Sequence, residues 1–163
     1  MARTTKSTNR SSPFSVEKAN DSSGFLLWQV TALWQRRVAE ALRPHELTQV
    51  QYALLASLLW LSRTGEEVTQ SRLAAHAKLD VMMTSQVLRA LEGRGLLERR
   101  PHPTDTRAKA LRLTAAGRAL TTRAVPAVET ADAAFFASLG ASRAGLNRNL
   151  LALIEAHAGG AAS

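Results

Sequence analysis

Apolar and polar residues follow helical spacing along most of this chain and alternate only between about residues 96 and 113. Helical spacing together with capping residues predicts six helices, at about 23–43, 49–62, 70–77, 81–93, 115–136 and 143–157. Alternation predicts two paired strands, Leu96 to Arg100 and Lys109 to Leu113. A short extended piece at 66–69 is a candidate for one further strand.

The third and fourth predicted helices have the order of a helix-turn-helix. Thr69 has a side-chain oxygen that can cap the helix at 70–77, and Asp80 can cap the longer helix that follows. Lys78 and Leu79 form the tight turn between them. In a helix-turn-helix the second helix lies in the major groove of DNA, so this order favours nucleic-acid binding.

The longer of these helices has two unlike faces. One face has apolar spacing and is predicted to pack inward, and it comprises Val81, Thr84, Val87, Leu88 and Leu91. The other face is short and mostly uncharged, and it comprises Met82, Met83, Ser85, Gln86 and Arg89. Such groups can bond to base edges and contact thymine methyls. The alternative is an ordinary exposed face, but such faces in a basic protein usually carry more Lys and Glu.

The chain has a net charge of +8, from 21 basic and 13 acidic residues. This charge bears on function because much of the excess lies in one part of the chain. Residues 72–112 contain nine Lys or Arg against four Asp or Glu. A basic patch of this kind is the electrostatic footprint of a surface that binds a polyanion. The alternative, that the charge serves only solubility, explains the local excess less well.

Composition and motifs count against several other classes of protein. The chain has no Cys, which excludes disulfides, Cys-bound metals and thiol redox sensing. Its four His residues stand at no metal-binding spacing, and no nucleophile–base set, phosphate loop or dinucleotide motif is present, so no metal, cofactor or enzymatic activity is predicted. The apolar runs are too short to cross a membrane and no signal peptide is evident, which predicts a cytoplasmic protein.

The two ends of the chain are predicted to differ from its centre. Residues 1–22 are basic, rich in Ser and Thr and poor in apolar residues, which favours a disordered tail over an arm that contacts phosphates. Residues 158–163 are predicted to fray. The helices within 23–43 and 114–157 have more apolar surface than one lobe can cover, which predicts a twofold dimer. Such a dimer would place its reading helices ~34 Å apart, as a pseudo-palindromic operator requires.

Four motifs occur in order along the chain, and the last of them has two parts. It covers the wing, which is the hairpin of the two predicted strands with the basic turn 101–107 between them. Near the wing stand Gly95-Leu96-Leu97-Glu98-Arg99 and then Asp105-x-Arg107-x-Lys109-x-Leu111-x-Leu113-Thr114. Upstream stand Leu47-Thr48-x-x-Gln51-Tyr52-x-Leu54-Leu55, Val68-Thr69-Gln70-Ser71-x-Leu73-Ala74 and Leu91-Glu92-x-x-Gly95. In this order and spacing, over about residues 24–157, the chain resembles the MarR family of winged helix-turn-helix regulators. The resemblance implies an obligate dimer that usually represses transcription and is often released by a small molecule.

The resemblance and the chemistry of a basic hairpin assign roles in the wing. Arg107 at the tip is expected to enter the electronegative minor groove, and Asp105 to pair with an arginine and hold the shape of the tip. Lys109 and Arg99 or Arg100 are expected to contact phosphates. The alternative for Asp105 and Arg107 is a surface ion pair of little energetic weight.

The helix-turn-helix supplies the remaining predicted DNA contacts. Ser71 and Arg72 at the start of the third helix are expected to meet phosphates, which position the protein but carry no sequence information. Base reading is assigned to the exposed face of the fourth helix, namely to Met82, Ser85, Gln86 and Arg89.

A small apolar or aromatic effector is implied by the family, in which small apolar acids bind between the dimer helices and the DNA lobe. Trp28 and Tyr52 are the candidate ligand-binding residues, and Trp34 and Trp60 could also line such a cleft. Arg36 or Arg37 could pair with a carboxylate. The alternative is that each of these aromatic rings is simply part of the core.

The sequence therefore predicts a mainly α protein with a small β-hairpin wing. A winged helix-turn-helix lobe is expected at 47–114, flanked by dimerisation helices at 23–43 and 114–157, within one domain at 23–157. The predicted function is sequence-specific binding of double-stranded DNA by a homodimer, most simply as a repressor. The alternative is a non-specific architectural DNA-binding protein.

Overall fold

Helices and strands follow each other in the predicted order. The computed structural model describes residues 13–104 and 108–158, and the elements below are those within these ranges. The helices are α1 Ser23–Leu42, α2 Gln49–Leu61, α3 Gln70–Ala77, α4 Val81–Gly93, α5 Ala115–Phe135 and α6 Arg143–His157. The strands are β1 Val68–Thr69, β2 Leu97–Pro101 and β3 Lys109–Leu113. The mainly helical fold with a small antiparallel sheet is thus confirmed.

The chain divides into two compact units, one up to Leu33 and one from Trp34 onward. The first unit includes a 3-10 turn, Ala19–Asp21, within the segment that the sequence predicts to be a disordered tail. The rest of that predicted tail up to residue 12, and residues 159–163, lie outside the described residues. Helix α1 begins in the first unit and ends in the second.

Side-chain caps fix the starts of the central helices. Thr48 and Gln51 form a capping box at the start of α2, with Gln51 N donating to Thr48 Oγ1 at 3.2 Å. Thr69 and Asp80 accept bonds from the third backbone N–H of α3 and α4, respectively. Each such cap satisfies a donor that the helix itself leaves unpaired, worth about 1 kcal/mol. Ser142, whose hydroxyl group and place before the last helix suggest a cap for α6, makes no side-chain cap bond.

The core of the second unit lies among α2, α3, α4 and the sheet. Its fully buried side chains are mostly leucines, namely Leu42, Leu54, Leu55, Leu58, Leu73, Leu88, Leu91, Leu97 and Leu111. Burying one such side chain contributes about 1.5–3 kcal/mol, so this cluster is the main source of stability for the lobe. Ala124 and Val128 add the inner face of α5 to the same cluster.

The sheet joins distant parts of the chain around β3. The strand order is β1-β3-β2 and both pairs are antiparallel. Val68 lies opposite Leu111, and Leu97 lies opposite Leu113, so apolar side chains meet on the core face. Pro101 lies opposite Lys109, where the two strands reach the turn of the wing.

Helix α5 begins in very close contact with the start of the wing. Thr114 donates through its backbone N–H to Leu96 O at 3.2 Å and through Oγ1 to Gly95 O at 2.6 Å. Gly117 N donates to the same hydroxyl at 3.0 Å. Gly117 is buried, and a Cβ at that position would lie only 1.7 Å from Leu96 O. A glycine is therefore required here by space rather than by backbone conformation.

Two sets of large apolar side chains remain in contact with solvent. On α6 no residue is buried, and the exposed set there comprises Leu150, Leu151, Leu153 and Ile154. The first half of α1, in the first unit, exposes Phe25, Leu26, Leu27, Trp28, Val30 and Leu33. Contiguous apolar surface of this kind usually marks an interaction site.

Candidate DNA interface

The start of α3 presents hydroxyl groups to solvent. Thr69 Oγ1 accepts from Arg72 N at 3.3 Å and lies 3.1 Å from Ser71 Oγ. Ser71 is exposed. Backbone N–H groups at a helix start attract anions, so Ser71 is placed as expected for a phosphate contact.

Arg72, the second predicted phosphate contact, is already engaged within the protein. Its Nη2 lies 2.6 Å from Glu66 Oε2, and its Nη1 donates to Glu67 O at 3.3 Å. Both terminal nitrogens of the guanidinium therefore bind the segment that precedes β1. The Glu66 carboxylate therefore competes with any phosphate that approaches this guanidinium.

Helix α4 is fixed in the lobe by its inner face and its cap. Asp80 Oδ1 accepts from Met83 N at 2.9 Å, and the buried Thr84 hydroxyl donates to Asp80 O at 2.8 Å. Leu88 and Leu91 are fully buried. The polar Thr84 is satisfied by its own helix and so can lie in the core at little cost.

The predicted reading face of α4 points to solvent. Met82 is 71% exposed, Gln86 and Arg89 are also exposed, and Ser85 is half-buried. Val81 was predicted to pack inward, but it is 54% exposed and adjoins this face, so that part of the prediction is wrong. Val81 is the first residue of α4, where the helix extends beyond the buried leucines. Within the described residues the face thus presents apolar, amide, hydroxyl and guanidinium groups together.

Arg99 on β2 lies mostly inside the lobe, with 22% of its side chain exposed. Its Nε is 3.3 Å from Glu92 Oε2, within ion-pair distance but without hydrogen-bond geometry. Its Nε and Nη2 are buried and make no hydrogen bond to another described group. Arg99 also lines a cavity of about 380 Å³ together with Ser71, Val81 and Lys109. Arg99 therefore faces the groove between α3, α4 and the wing instead of open solvent.

The wing strands hold further cations at the surface. Lys109 is exposed. Arg100 Nη2 is 2.6 Å from Glu98 Oε1, and Arg112 pairs with Glu67. The predicted contacts Asp105 and Arg107 lie outside the described residues. Their roles at the wing tip stay predictions.

Three features of this interface were missed by reasoning from the sequence. Glu66 and Glu67 hold two of its arginines. Arg94, the residue that ends α4, donates to Glu46 O at 3.0 Å and to Gln51 Oε1 at 3.4 Å, so it links the reading helix to the start of α2. The only local signal for these contacts is a pair of glutamates just before the Thr69 cap. The spacing of charges alone does not select their partners.

A second cavity, of about 500 Å³, lies between α2 and α5, with Tyr52, Trp60, Arg63 and Glu129 among its lining residues. The Arg63 guanidinium lies 4.7 Å from the centroid of the Trp60 ring. Burial raises the pKa of the Tyr52 hydroxyl, and the charges of Asp132 and Glu129 raise it further. Tyr52 therefore stays protonated at neutral pH and can donate a hydrogen bond.

The predicted ligand residues belong to different units. Tyr52 lines the cavity in the second unit. Trp28 lies in the first unit, where its ring stacks on Phe25 at a centroid distance of 6.2 Å. Arg63 is among the residues that line the Tyr52 cavity, and Arg36 and Arg37 are not, so their pairing with a carboxylate stays a prediction. Trp34 is instead bonded in the second unit, with its Nε1 donating to Asp132 Oδ1 at 2.7 Å.

Two further features of the described residues concern membranes and metal ions. Within 13–104 and 108–158 no helix is long and apolar enough to cross a membrane. In the same part of the chain no group of three or more His, Asp or Glu side chains is placed to hold a metal ion.

Comparison with known proteins gives consistent matches. The sequence model of the MarR family matches residues 47–109. The HTH-type transcriptional regulator YdcH of Bacillus subtilis is 47% identical over 73% of this chain and 81% of its own length. The HTH-type transcriptional repressor Rv2887 of Mycobacterium tuberculosis is 35% identical over 72% of this chain and 82% of its own length.

Solved structures of a regulator named CouR show the same fold. CouR from Rhodococcus jostii bound to p-coumaroyl-CoA superimposes with a TM-score of 0.73 at 29% identity, covering 83% of this chain and 93% of CouR. CouR bound to a 23-mer DNA duplex superimposes with a TM-score of 0.72 at 26% identity, covering 88% of this chain and 99% of CouR. Similar solved structures thus include one bound to DNA and one bound to a small molecule.

Proposed function

Because this chain belongs to the MarR family of transcriptional regulators, which are not enzymes, we propose that it is a sequence-specific repressor that binds operator DNA as a homodimer. The observation that supports specificity is the exposed face of α4, where Met82, Gln86 and Arg89 stand beside one another with little net charge. Such a face gains more from base edges than from phosphates. As a DNA-binding regulator it would act in the cytoplasm, where the chromosome is accessible.

The first experiment is selection of bound fragments from the genome that encodes the protein, followed by affinity measurements on the selected operator. Gln86→Ala is expected to weaken binding to the selected operator by about 1–3 kcal/mol. It should also relax the base preference at one position of the operator. Asn149→Ala, a change on the exposed surface of α6, is the matched control and should leave both unchanged. An equal loss on every sequence would place Gln86 on phosphates and would favour the architectural alternative.

The homodimer is supported by the two exposed apolar surfaces, on α6 and on the first half of α1. A second copy of the chain is the expected cover for each. Leu151→Glu with Leu153→Glu puts charge on the α6 surface and should give a folded monomer that has lost most operator affinity. Asn149→Glu adds charge to the same helix at an exposed polar position and should stay dimeric. Light scattering distinguishes these outcomes, and a dimeric double variant would remove α6 from the interface.

An aromatic anion is the effector class that the second cavity supports best. Tyr52 and Trp60 supply ring surface, the protonated Tyr52 hydroxyl is a donor, and Arg63 can pair with a carboxylate. Glu129 in the same cavity would accept a hydrogen bond from a ligand hydroxyl. Aromatic hydroxy acids are therefore the first compounds to test for release of DNA, and Arg63→Gln should raise the concentration needed. If the Arg63→Gln variant releases DNA at the same ligand concentration as the wild type, the effector binds somewhere other than this cavity.

A further inference from the structure

Glu66 pairs with Arg72, the arginine that is predicted to contact a DNA phosphate. Its carboxylate lies 2.6 Å from Arg72 Nη2, while Arg72 Nη1 donates to Glu67 O at 3.3 Å. A guanidinium grips a carboxylate and a phosphate with the same fork of N–H groups. From this geometry we infer that Glu66 is a specificity-determining residue that competes with DNA phosphates for Arg72. The inference rests on the proposed DNA-binding function.

The two neighbouring glutamates are held very differently. Glu67 is 22% exposed and pairs with Arg112 on β3, so it is anchored to the sheet. Glu66 is 66% exposed and follows Gly65, whose surroundings within 4 Å are open. An exposed pair such as Glu66–Arg72 contributes little to folding and can be exchanged at small cost. Glu66 can therefore leave Arg72 without disturbing the lobe, while Glu67 keeps the segment in place.

Competition of this kind acts unequally on different DNA sequences. When α4 is seated on its operator, the start of α3 is held against one phosphate, whose effective concentration is then high enough to displace Glu66. On random DNA α4 is not seated, and no phosphate is held at Arg72. Glu66 then keeps the guanidinium, and the protein releases about one fewer counterion. Glu66 thus lowers non-specific affinity more than operator affinity.

The test is a double-mutant cycle of the full-length chain on a random duplex, with the wild type, Glu66→Gln, Arg72→Gln and the double variant. Glu66→Gln should tighten binding several-fold at low salt. It should also steepen the dependence of log affinity on log salt by about 0.9, the contribution of one phosphate contact. Between 50 and 200 mM salt this change amounts to about a 3.5-fold difference. In the Arg72→Gln background, Glu66→Gln should have only the smaller effect of removing one negative charge near the DNA.

Glu98→Gln is the matched control, because it removes one negative charge from another exposed pair of the same lobe, with Arg100. Glu98→Gln should change the affinity for the random duplex by the same factor whether position 72 is Arg or Gln. Equal effects of Glu66→Gln in both backgrounds would show a general charge effect and overturn the inference. So would an unchanged salt dependence, or a Glu66→Gln protein whose affinity for the random duplex does not fall when Arg72 is also replaced by Gln.

The same four proteins on the selected operator test the effect on specificity. Glu66→Gln should tighten binding to the operator less than binding to the random duplex. The ratio of operator affinity to random-duplex affinity should therefore fall. A ratio that stays constant would contradict the inference. If the proposed sequence specificity itself fails, operator and random duplex will bind alike in all four proteins, while the cycle on random DNA still measures the coupling between Glu66 and Arg72. Thermal unfolding of each variant confirms that the lobe is intact.

Discussion

Gly117 at the start of α5 is a position where adding a single methyl group should strongly lower the free energy of unfolding. A Cβ there would lie 1.7 Å from Leu96 O, 2.7 Å from Leu96 C and 3.1 Å from Leu96 Cα, all backbone atoms. An ordinary contact begins near 3.4 Å, so the two chain segments would have to separate by about 1.7 Å. No side-chain rotation can relieve this contact, because neither partner is a flexible side chain.

The cost of Gly117→Ala can be worked out from the contacts that such a separation breaks. Overpacking of a tight site costs about 1–3 kcal/mol. The bond from Thr114 N to Leu96 O and that from Thr114 Oγ1 to Gly95 O add about 1 kcal/mol each when they are stretched. Together the free energy of unfolding should fall by about 3–5 kcal/mol. For a chain of this size that is a drop in Tm of roughly 10 °C or more.

The assay is urea and thermal unfolding at one fixed protein concentration, since dimerisation makes Tm depend on concentration. Gly93→Ala is the matched control: Gly93 is the last residue of α4 and has nothing within 4 Å of its Cβ position. That change should raise stability by about 0.5 kcal/mol, because alanine loses less conformational entropy in a helix. A loss below 1 kcal/mol for Gly117→Ala would show that α5 can move away from the wing freely and would refute the reasoning.

Three further changes test the lobe. Asp80→Ala removes the cap of α4 and should cost about 1 kcal/mol in urea unfolding, whereas Asp80→Ser should restore most of it. Trp34→Phe leaves the half-buried Asp132 without its 2.7 Å donor and should cost about 1.5–3 kcal/mol. In an Asp132→Ala background most of this cost should disappear, and an equal cost in both backgrounds would show that the bond is unimportant. Leu88→Ala opens a cavity in the core and should cost about 2–5 kcal/mol by the same assay.

The helix-turn-helix could be predicted closely because its signals are local. Thr69 and Asp80 each bond to a backbone N–H three residues on, so composition and spacing suffice to place the starts of α3 and α4. Lys78, with φ of 53°, provides the left-handed turn between them. The inner face of α4 was predicted correctly at Thr84, Leu88 and Leu91, since helical spacing fixes which residues share a face.

The electrostatics of the interface could not be predicted in the same way. Arg112 pairs with Glu67 and Arg94 with Glu46 O, contacts between residues more than forty positions apart. A long flexible side chain reaches many acceptors, and only the assembled fold selects one. Counting charges therefore located the basic region but overstated how many of its cations are unengaged. Val81 was misplaced for a related reason, because spacing does not show where along a helix the core ends.

The two-residue strand β1 has a consequence for the order in which the lobe folds and opens. Val68 on β1 pairs with Leu111 on β3. Helices α3 and α4 and strand β2 therefore all lie in the chain between the two paired segments. Closing a loop of that length costs about 3 kcal/mol of entropy, which only two residue pairs oppose directly. The pairing of β1 should therefore form late in folding and break first on partial unfolding. A species that has lost β1 but kept α3 and α4 would give rapid amide exchange at Val68 with continued protection at Leu88.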